Sequence, residues 1–398
     1  MLRQVLKDTS LAAVSAGFVA VLVAFTSTIA LVFHAATSLG ASPEQVSSWV
    51  WALGLGMGVG SIALSLWLRI PVLITWSTPG AAVIASAAQG VSLHEAVGAF
   101  MVCGGLMALS GLTGAFERLM NRIPVALAAA LLAGILAKFA LLAFAGAATH
   151  TLLVVLMLLS YLLGRRLWPR YAVLGVLATG VLVAWQQGLV HTDTLGWAWA
   201  QPVFVAPHWS WQAVLGMGLP LFIVTMASQA VPGVAAIRTA GYEAPVSPLM
   251  SWSGLGTLVL APFGGYAFNL AAITAAIVLS PHAHRNPAQR YTAAVMAGLF
   301  YLLMAAAGAA VAGLLSAFPG TLVMGVAGLA LLGTIGSGLA TALKADSHRE
   351  AALITFLVTL SGVTLWGVGS AFWGLVAGSL SLFVEHYKAP KPDGNLSP

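Results

Sequence analysis

The run Trp76-Ser77-Thr78-Pro79-Gly80-Ala81-Ala82 places a helix-start signal inside an apolar segment. Threonine accepts hydrogen bonds from the unpaired amides at a helix start, and proline suits the first helical position because its missing amide would go unused there. Thr78 is therefore expected as the cap and Pro79 as the first helical residue, with a helix beginning partway through an apolar layer. Its free amides and positive dipole end would face a cavity suited to an anionic group. Gly80 would let a ligand approach the backbone closely. A similar signal, Phe263-Gly264-Gly265-Tyr266-Ala267-Phe268-Asn269, precedes Leu270 to Ala276, with Asn269 as the cap. A proline kink and a loop tip are the plainer alternatives at these two places.

Polar residues interrupt two further apolar runs, Thr26-Ser27-Thr28 and Thr225-Met226-Ala227-Ser228-Gln229. Hydroxyls in such helices usually bond their own backbone or a neighbouring helix. Gln229 is costlier to bury, since its amide group needs partners for both its oxygen and its nitrogen. Pro232 leaves a carbonyl free nearby, so a helix–helix bond and a ligand contact stay equally open for Gln229. Ser27, Trp76, Ser77, Thr78, Gly80, Ala81, Ser228, Gln229, Tyr266, Phe268 and Asn269 form the candidate binding set, with the three aromatic residues available to a ring. Lys138 is a further candidate, for a charge role, because an ammonium inside an apolar run is costly. Its stem could instead snorkel outward, six residues before Phe144. His34 could relay protons or sit at an interface.

Enzyme chemistry finds little support. No aspartate pair is embedded in an apolar run, and the histidines lie outside the span centres, away from the embedded serines. Cys103 is the single cysteine, which excludes an intramolecular disulfide and a cysteine-built metal centre. No cofactor and no metal are expected.

These residues must be positioned by membrane helices. Of 398 residues, 60% are hydrophobic and 7% charged, whereas about a quarter of the residues in a soluble domain are charged. Spans of about 20 residues fit roughly fourteen times into this length. The first seven are placed at Ser10 to Ala35, Val46 to Leu66, Val72 to Ala88, Ala96 to Phe116, Pro124 to Phe144, Thr151 to Leu163 and Tyr171 to Gln187. The second seven are Trp211 to Ile237, Val246 to Leu260, Asn269 to Ser280, Thr292 to Leu315, Thr321 to Leu343, Ala351 to Leu365 and Ala371 to Val384. Between them, residues 191–210 form a wet connection rich in tryptophan.

Fifteen of the sixteen basic residues lie at the two ends or in alternate gaps: Arg3, Lys7, Arg69, Arg118, Arg122, Arg165, Arg166, Arg170, Arg238, Arg285, Arg290, Lys344, Arg349, Lys388 and Lys391. That alternation puts both termini in the cytoplasm and the 191–210 connection outside. The basic balance thus reflects orientation, and no nucleic acid partner is implied. Seven spans on each side of the connection give the halves opposite orientation, as in an inverted repeat. At an offset of 195 residues, Pro124 and Leu127 match Pro319 and Leu322, so prolines open the fifth and twelfth spans alike. The expected organisation is a first repeat at 1–190, the connection at 191–210, a second repeat at 211–388 and a tail at 389–398.

Several strings resemble the bacterial benzoate/proton symporter family, within the broader fold of uracil permeases and sulfate-type anion carriers. They include Arg69-Ile70-Pro71-Val72-Leu73, the Trp76 to Ala82 run, Leu132-Ala133-Gly134-Ile135-Leu136 and Thr225 to Gln229. Ala244-Pro245-Val246-Ser247-Pro248, Ala271-Ala272-Ile273-Thr274-Ala275-Ala276 and Gly369-Ser370-Ala371-Phe372-Trp373-Gly374-Leu375 extend the resemblance over nearly the whole chain. It implies an all-α polytopic membrane protein whose core domain, spans one to four and eight to eleven, moves against a gate domain made of the rest. The implied site lies between spans one, three, eight and ten, with half-helices in the third and tenth. The implied activity is import of benzoate or a related aromatic carboxylate with protons across a bacterial inner membrane, by alternating access. Homo-oligomerisation is left open. Uracil permeases resembling this chain carry carboxylates in spans eight and ten. Here span eight offers Gln229 and span ten has no acid, which favours an anionic substrate over a nucleobase. A nucleobase or inorganic-anion permease of the same fold is the alternative.

Overall fold

The computed structural model describes residues 2–114, 124–169, 172–190, 199–271, 274–366 and 368–386. Arg118, Arg122, Arg170, His191, Asp193, Lys388, Lys391, the expected tail and the side chain of Ser27 lie outside the described residues. The described chain is almost entirely helical. A short α1 (Leu2–Asp8), absent from the expected spans, precedes α2 (Leu11–Ser38), α3 (Pro43–Leu68), strand β1 (Ile74–Thr75), α4 (Thr78–Ser86) and α5 (Leu93–Leu112). Then follow α6 (Val125–Ala145), α7 (Thr151–Leu167) and α8 (Ala172–Gln186). The second half contains α9 (Trp211–Thr239), α10 (Val246–Leu260), strand β2 (Asn269–Leu270), α11 (Ala275–Leu279), α12 (Tyr291–Ala306), α13 (Gly308–Ala317), α14 (Gly320–Ala342), α15 (Arg349–Ser361) and α16 (Ser370–His386).

Six described helices are long and apolar enough to cross a bilayer, and eight if each bent pair counts as one span. The eleventh expected span is such a pair, since α12 and α13 meet at 66°. Gly308 sits at that bend, where an added Cβ would lie 3.0 Å from the Ser47 carbonyl oxygen. Many large apolar side chains, among them Leu109, Leu141, Leu159, Leu182 and Leu357, point out of the bundle. An outward apolar surface matches a lipid solvent, in which backbone groups must be satisfied internally.

The helix pairings repeat about a two-fold pattern. α5 packs on α10 as α3 packs on α12, α7 pairs with α8 as α15 pairs with α16, and α6 packs on α14 across the middle. Pro124 and Pro319 stand at equivalent places, each immediately before its helix. The segment 199–210 lies across one end of the bundle through bonds to α3, α5 and the end of α12. Val203 N donates to Ser48 Oγ at 2.9 Å, His208 N to the His94 carbonyl at 2.9 Å and Ala200 N to the Ala306 carbonyl at 3.1 Å. At the opposite end, Asp8 of α1 accepts from the Tyr291 hydroxyl at 2.7 Å and from Gln289 Nε2 at 3.1 Å. Arg69 Nη1 donates to the same Tyr291 hydroxyl at 2.6 Å.

Candidate substrate site

The third and tenth segments are each a strand followed by a short helix, and they meet at their strands. β1 and β2 pair antiparallel, with Ile74 opposite Leu270 and Thr75 opposite Asn269. The β-branched pair Ile74-Thr75 suits an extended chain, but extended backbone inside a membrane needs partners. Ser65 Oγ accepts from Val72 N at 3.0 Å, and Ser61 Oγ accepts from Ile74 N at 2.9 Å. On the other strand, Thr257 Oγ1 accepts from Phe268 N at 3.0 Å, while Ala271 N donates to the Leu73 carbonyl at 2.9 Å. Hydroxyls on α3 and α10 thus stabilise the ladder from either side.

The helix start lies one residue earlier than Thr78 predicts. Ser77 is the cap: its hydroxyl accepts from Gly80 N at 3.0 Å, which moves Thr78 and Pro79 into the first turn. The fully buried Ser77 hydroxyl also receives a bond from Thr225 Oγ1 at 2.8 Å, tying α4 to α9. Gly80 makes close packing possible, since an added Cβ would lie 2.6 Å from Leu221 Cδ1 and 2.7 Å from Ser77 Cβ. Ala81 is fully buried beside it. Trp76 is held from the α2 side, its Nε1 donating to Thr28 Oγ1 at 2.9 Å and its ring meeting Phe25 edge-on at 4.9 Å.

Asn269 is not a helix cap. Its backbone belongs to β2, and α11 begins only at Ala275, because the ladder with Thr75 keeps the chain extended where a cap would turn it. The side chain is fully buried. Nδ2 donates to the Ala267 carbonyl at 3.0 Å, and Oδ1 has no partner. Tyr266 and Phe268 are also fully buried. The Tyr266 ring packs on Trp49 and Phe100 at 5.7 and 5.9 Å, and the Phe268 ring lies against Gly56 and Gly256 of α3 and α10. Both rings are therefore engaged by the scaffold.

α9 carries two π-helical turns, Val214–Gly218 and Met226–Ala230, each followed two residues later by a proline, Pro220 or Pro232. A proline cannot donate to the preceding turn and crowds its carbonyl, so the helix widens there. The second widened turn holds Ser228 and Gln229 and packs against β2 and α6. Ser228 Oγ donates back to the Val224 carbonyl at 2.6 Å. Gln229 is half-buried, and no hydrogen bond engages its side chain among the described residues. Four residues before it is Thr225, the partner of Ser77, so the bulge lies next to the start of α4. Thr225 belongs to the site's framework although its hydroxyl carries no sequence signal stronger than any other buried threonine.

Lys138 is on α6 and half-buried, with its ammonium beside Gly362, just past the end of α15. That position favours a cation, because the last carbonyls of a helix carry partial negative charge. His34 meets Phe139 of α6 edge-on at 5.8 Å. A shallow surface recess lies at the far end of α4, between Ser86, Gln89, Gln212 and Thr364. Among the described residues, no group of three or more His, Cys, Asp or Glu side chains could hold a metal.

Interrupted helices meeting at mid-bundle, within halves that repeat by inversion, define a polytopic membrane transporter. Two solved structures share this fold. The murine solute carrier 26 family member A9 anion transporter, in its inward-facing state, aligns at TM-score 0.57 with 11% identity, over 95% of this chain and 68% of that one. The transmembrane domain of the cyanobacterial bicarbonate transporter BicA aligns at TM-score 0.54 with 13% identity, over 93% of this chain and 97% of that one. The family described as benzoate membrane transport protein matches residues 7–384. The chain belongs to that family. Among its relatives, inner membrane protein YdcO of Escherichia coli (strain K12) is 48% identical over 369 residues, covering 93% of this chain and 94% of the relative. The benzoate membrane transport protein of Acinetobacter baylyi (strain ATCC 33305 / BD413 / ADP1) is 39% identical over 384 residues, covering 96% and 98%.

Proposed function

We propose that this protein imports benzoate or a related aromatic carboxylate together with protons, by alternating access, across a bacterial inner membrane. The observation that carries the reading is the family match across residues 7–384, with the benzoate transporter of Acinetobacter baylyi 39% identical along nearly its full length. The crossing of the two interrupted segments supports a substrate position beside the start of α4 and the widened turn of α9. There Thr78 and Gln229 supply polar contacts to the carboxyl group, with Ser77, Gly80, Ala81 and Ser228 shaping the wall. Trp76, Tyr266, Phe268 and Asn269 keep the ladder and its surroundings rigid.

The moving parts are a core of α2 to α5 with α9 to α13, and a gate of α6 to α8 with α14 to α16. Their seam runs where α6 meets the widened turn of α9 and where Phe139 meets His34. The basic residues at Arg69, Arg165, Arg166 and Arg290 orient this assembly with both termini in the cytoplasm. Labelled benzoate uptake in cells expressing the protein tests the substrate assignment. Excess unlabelled benzoate should suppress uptake, and excess uracil or sulfate should leave it intact. Suppression by uracil or sulfate would move the assignment to the other permeases of this fold.

A further inference from the structure

We propose that the substrate docks as the neutral carboxylic acid, paired through two hydrogen bonds with the Gln229 carboxamide, so that the coupled proton travels on the substrate itself. This rests on the aromatic-carboxylate reading above and specifies the form recognised.

The first support is a census of donors. A carboxylate leaving water needs donors for two oxygens, and the start of α4 offers few. Pro79 has no amide hydrogen, the Gly80 amide is taken by Ser77 Oγ and the Ala81 amide by the Ser77 carbonyl. Of the first-turn amides, Thr78 alone is left. α11, with five residues, adds no extended helix start. The unsatisfied group of the ladder, Asn269 Oδ1, is an acceptor and would meet an anion with the wrong sign.

The second support is the charge around Gln229. Its widened turn packs against the rest of α9, β2 and α6, and α9 also packs on α4. β2 and α4 hold no titratable side chain. α6 contributes only Lys138, whose ammonium lies at Gly362, and α9 contributes only Arg238, nine residues further along the helix, about 13 Å at helical rise. The neighbouring α2 contributes His34, whose ring is against Phe139. The described acidic residues, Asp8, Glu44, Glu95, Glu243, Asp346, Glu350 and Glu385, all lie at helix ends or in connections. Among the described residues, the elements packed around Gln229 bring no charged group shown to face it, and no acidic residue lies on them to carry a proton.

A primary carboxamide is complementary to a carboxylic acid. The acid O–H donates to Oε1 while Nε2–H donates to the acid carbonyl, and both bonds form only when the acid is protonated. An ionised carboxylate would keep one bond and place its second oxygen against Oε1. On the outer side, benzoate and one proton give the bound acid. On the inner side the acid leaves and ionises, returning one of each, so transport is electroneutral with one proton per substrate.

The test is equilibrium binding to the purified full chain in detergent, with labelled benzoate, benzamide and benzenesulfonate as probes. Benzamide is neutral and offers the same donor–acceptor edge, whereas the sulfonate is permanently ionised. Because only the neutral fraction binds, benzoate affinity should fall about tenfold per pH unit, or about a hundredfold between about pH 6 and about pH 8. Benzamide should displace benzoate with the same affinity at both values, which also verifies that the protein is intact at the higher one. The sulfonate should not compete, and Gln229→Leu protein with an unchanged melting temperature should lose benzamide binding. Displacement by the sulfonate but not by benzamide, or pH-independent benzoate affinity, would overturn the neutral-acid form and leave the transporter reading standing. Absence of benzoate binding at both pH values would sink both.

Discussion

Ser77 and Thr225 join the interrupted third segment to the eighth, and a double-mutant cycle measures what that junction contributes. Ser77→Ala removes the cap of α4, typically worth about 1 kcal/mol. It also removes the bond received from Thr225 at 2.8 Å, and interhelical hydrogen bonds in membranes average about 0.6 kcal/mol, at most about 1.7. The expected loss is therefore about 1.6 to 2.7 kcal/mol. Thr225→Val keeps the volume and the cap and loses only the interhelical bond. In the double variant that bond is lost once rather than twice, so the combined effect should fall short of the sum by about 0.6 to 1.7 kcal/mol. Equilibrium unfolding of the four proteins in mixed micelles reads this directly. Losses that add to within about 0.3 kcal/mol would mean the two hydroxyls do not cooperate. A Ser77→Ala protein as stable as the parent would refute the cap itself.

Lys138→Gln should change benzoate uptake less than about twofold, because the ammonium lies beside Gly362 at the end of α15, where the helix dipole already favours a cation; a loss of about tenfold or more would assign Lys138 to the transport cycle. Gly264→Ala should lower the yield of folded protein, since the backbone there has φ +95° and a Cβ would strike the Trp49 ring; melting indistinguishable from the parent would contradict that packing. In a Cys103→Ser background, a cysteine at Gln201 should react with an impermeant maleimide added outside intact cells and one at Arg166 should not, because basic gaps face the cytoplasm. The reverse pattern would invert the topology.

Hydropathy makes much of the helical organisation legible, and the extent of α10 follows from its sequence residue for residue, but six to eight of the described helices, against fourteen expected spans, are long and apolar enough to cross a bilayer. The helix start at α4 was legible to within one residue. Ser77 and Thr78 are both cap-type residues, and only the position of the Gly80 amide selects Ser77. The second break was legible as a break but not as a strand. Two residues of ladder have no periodicity, and Asn269 looks like a cap until Thr75 is placed opposite it. Pro220 and Pro232 signal disturbed helix, yet they do not by themselves distinguish a π turn from a kink, which only the backbone shows. The bend between α12 and α13 depends likewise on the approach of Gly308 to α3, which no local pattern encodes.

The most direct test of the transport reading is the initial rate of labelled benzoate uptake into proteoliposomes with the outside more acidic than the inside. Protein-free vesicles, measured in parallel, account for passive entry of the acid. A protein-dependent rate that saturates with benzoate, collapses when the proton gradient is dissipated and drops in Gln229→Leu protein is the predicted result. A rate no higher than that of protein-free vesicles, from protein shown to be folded, would contradict it.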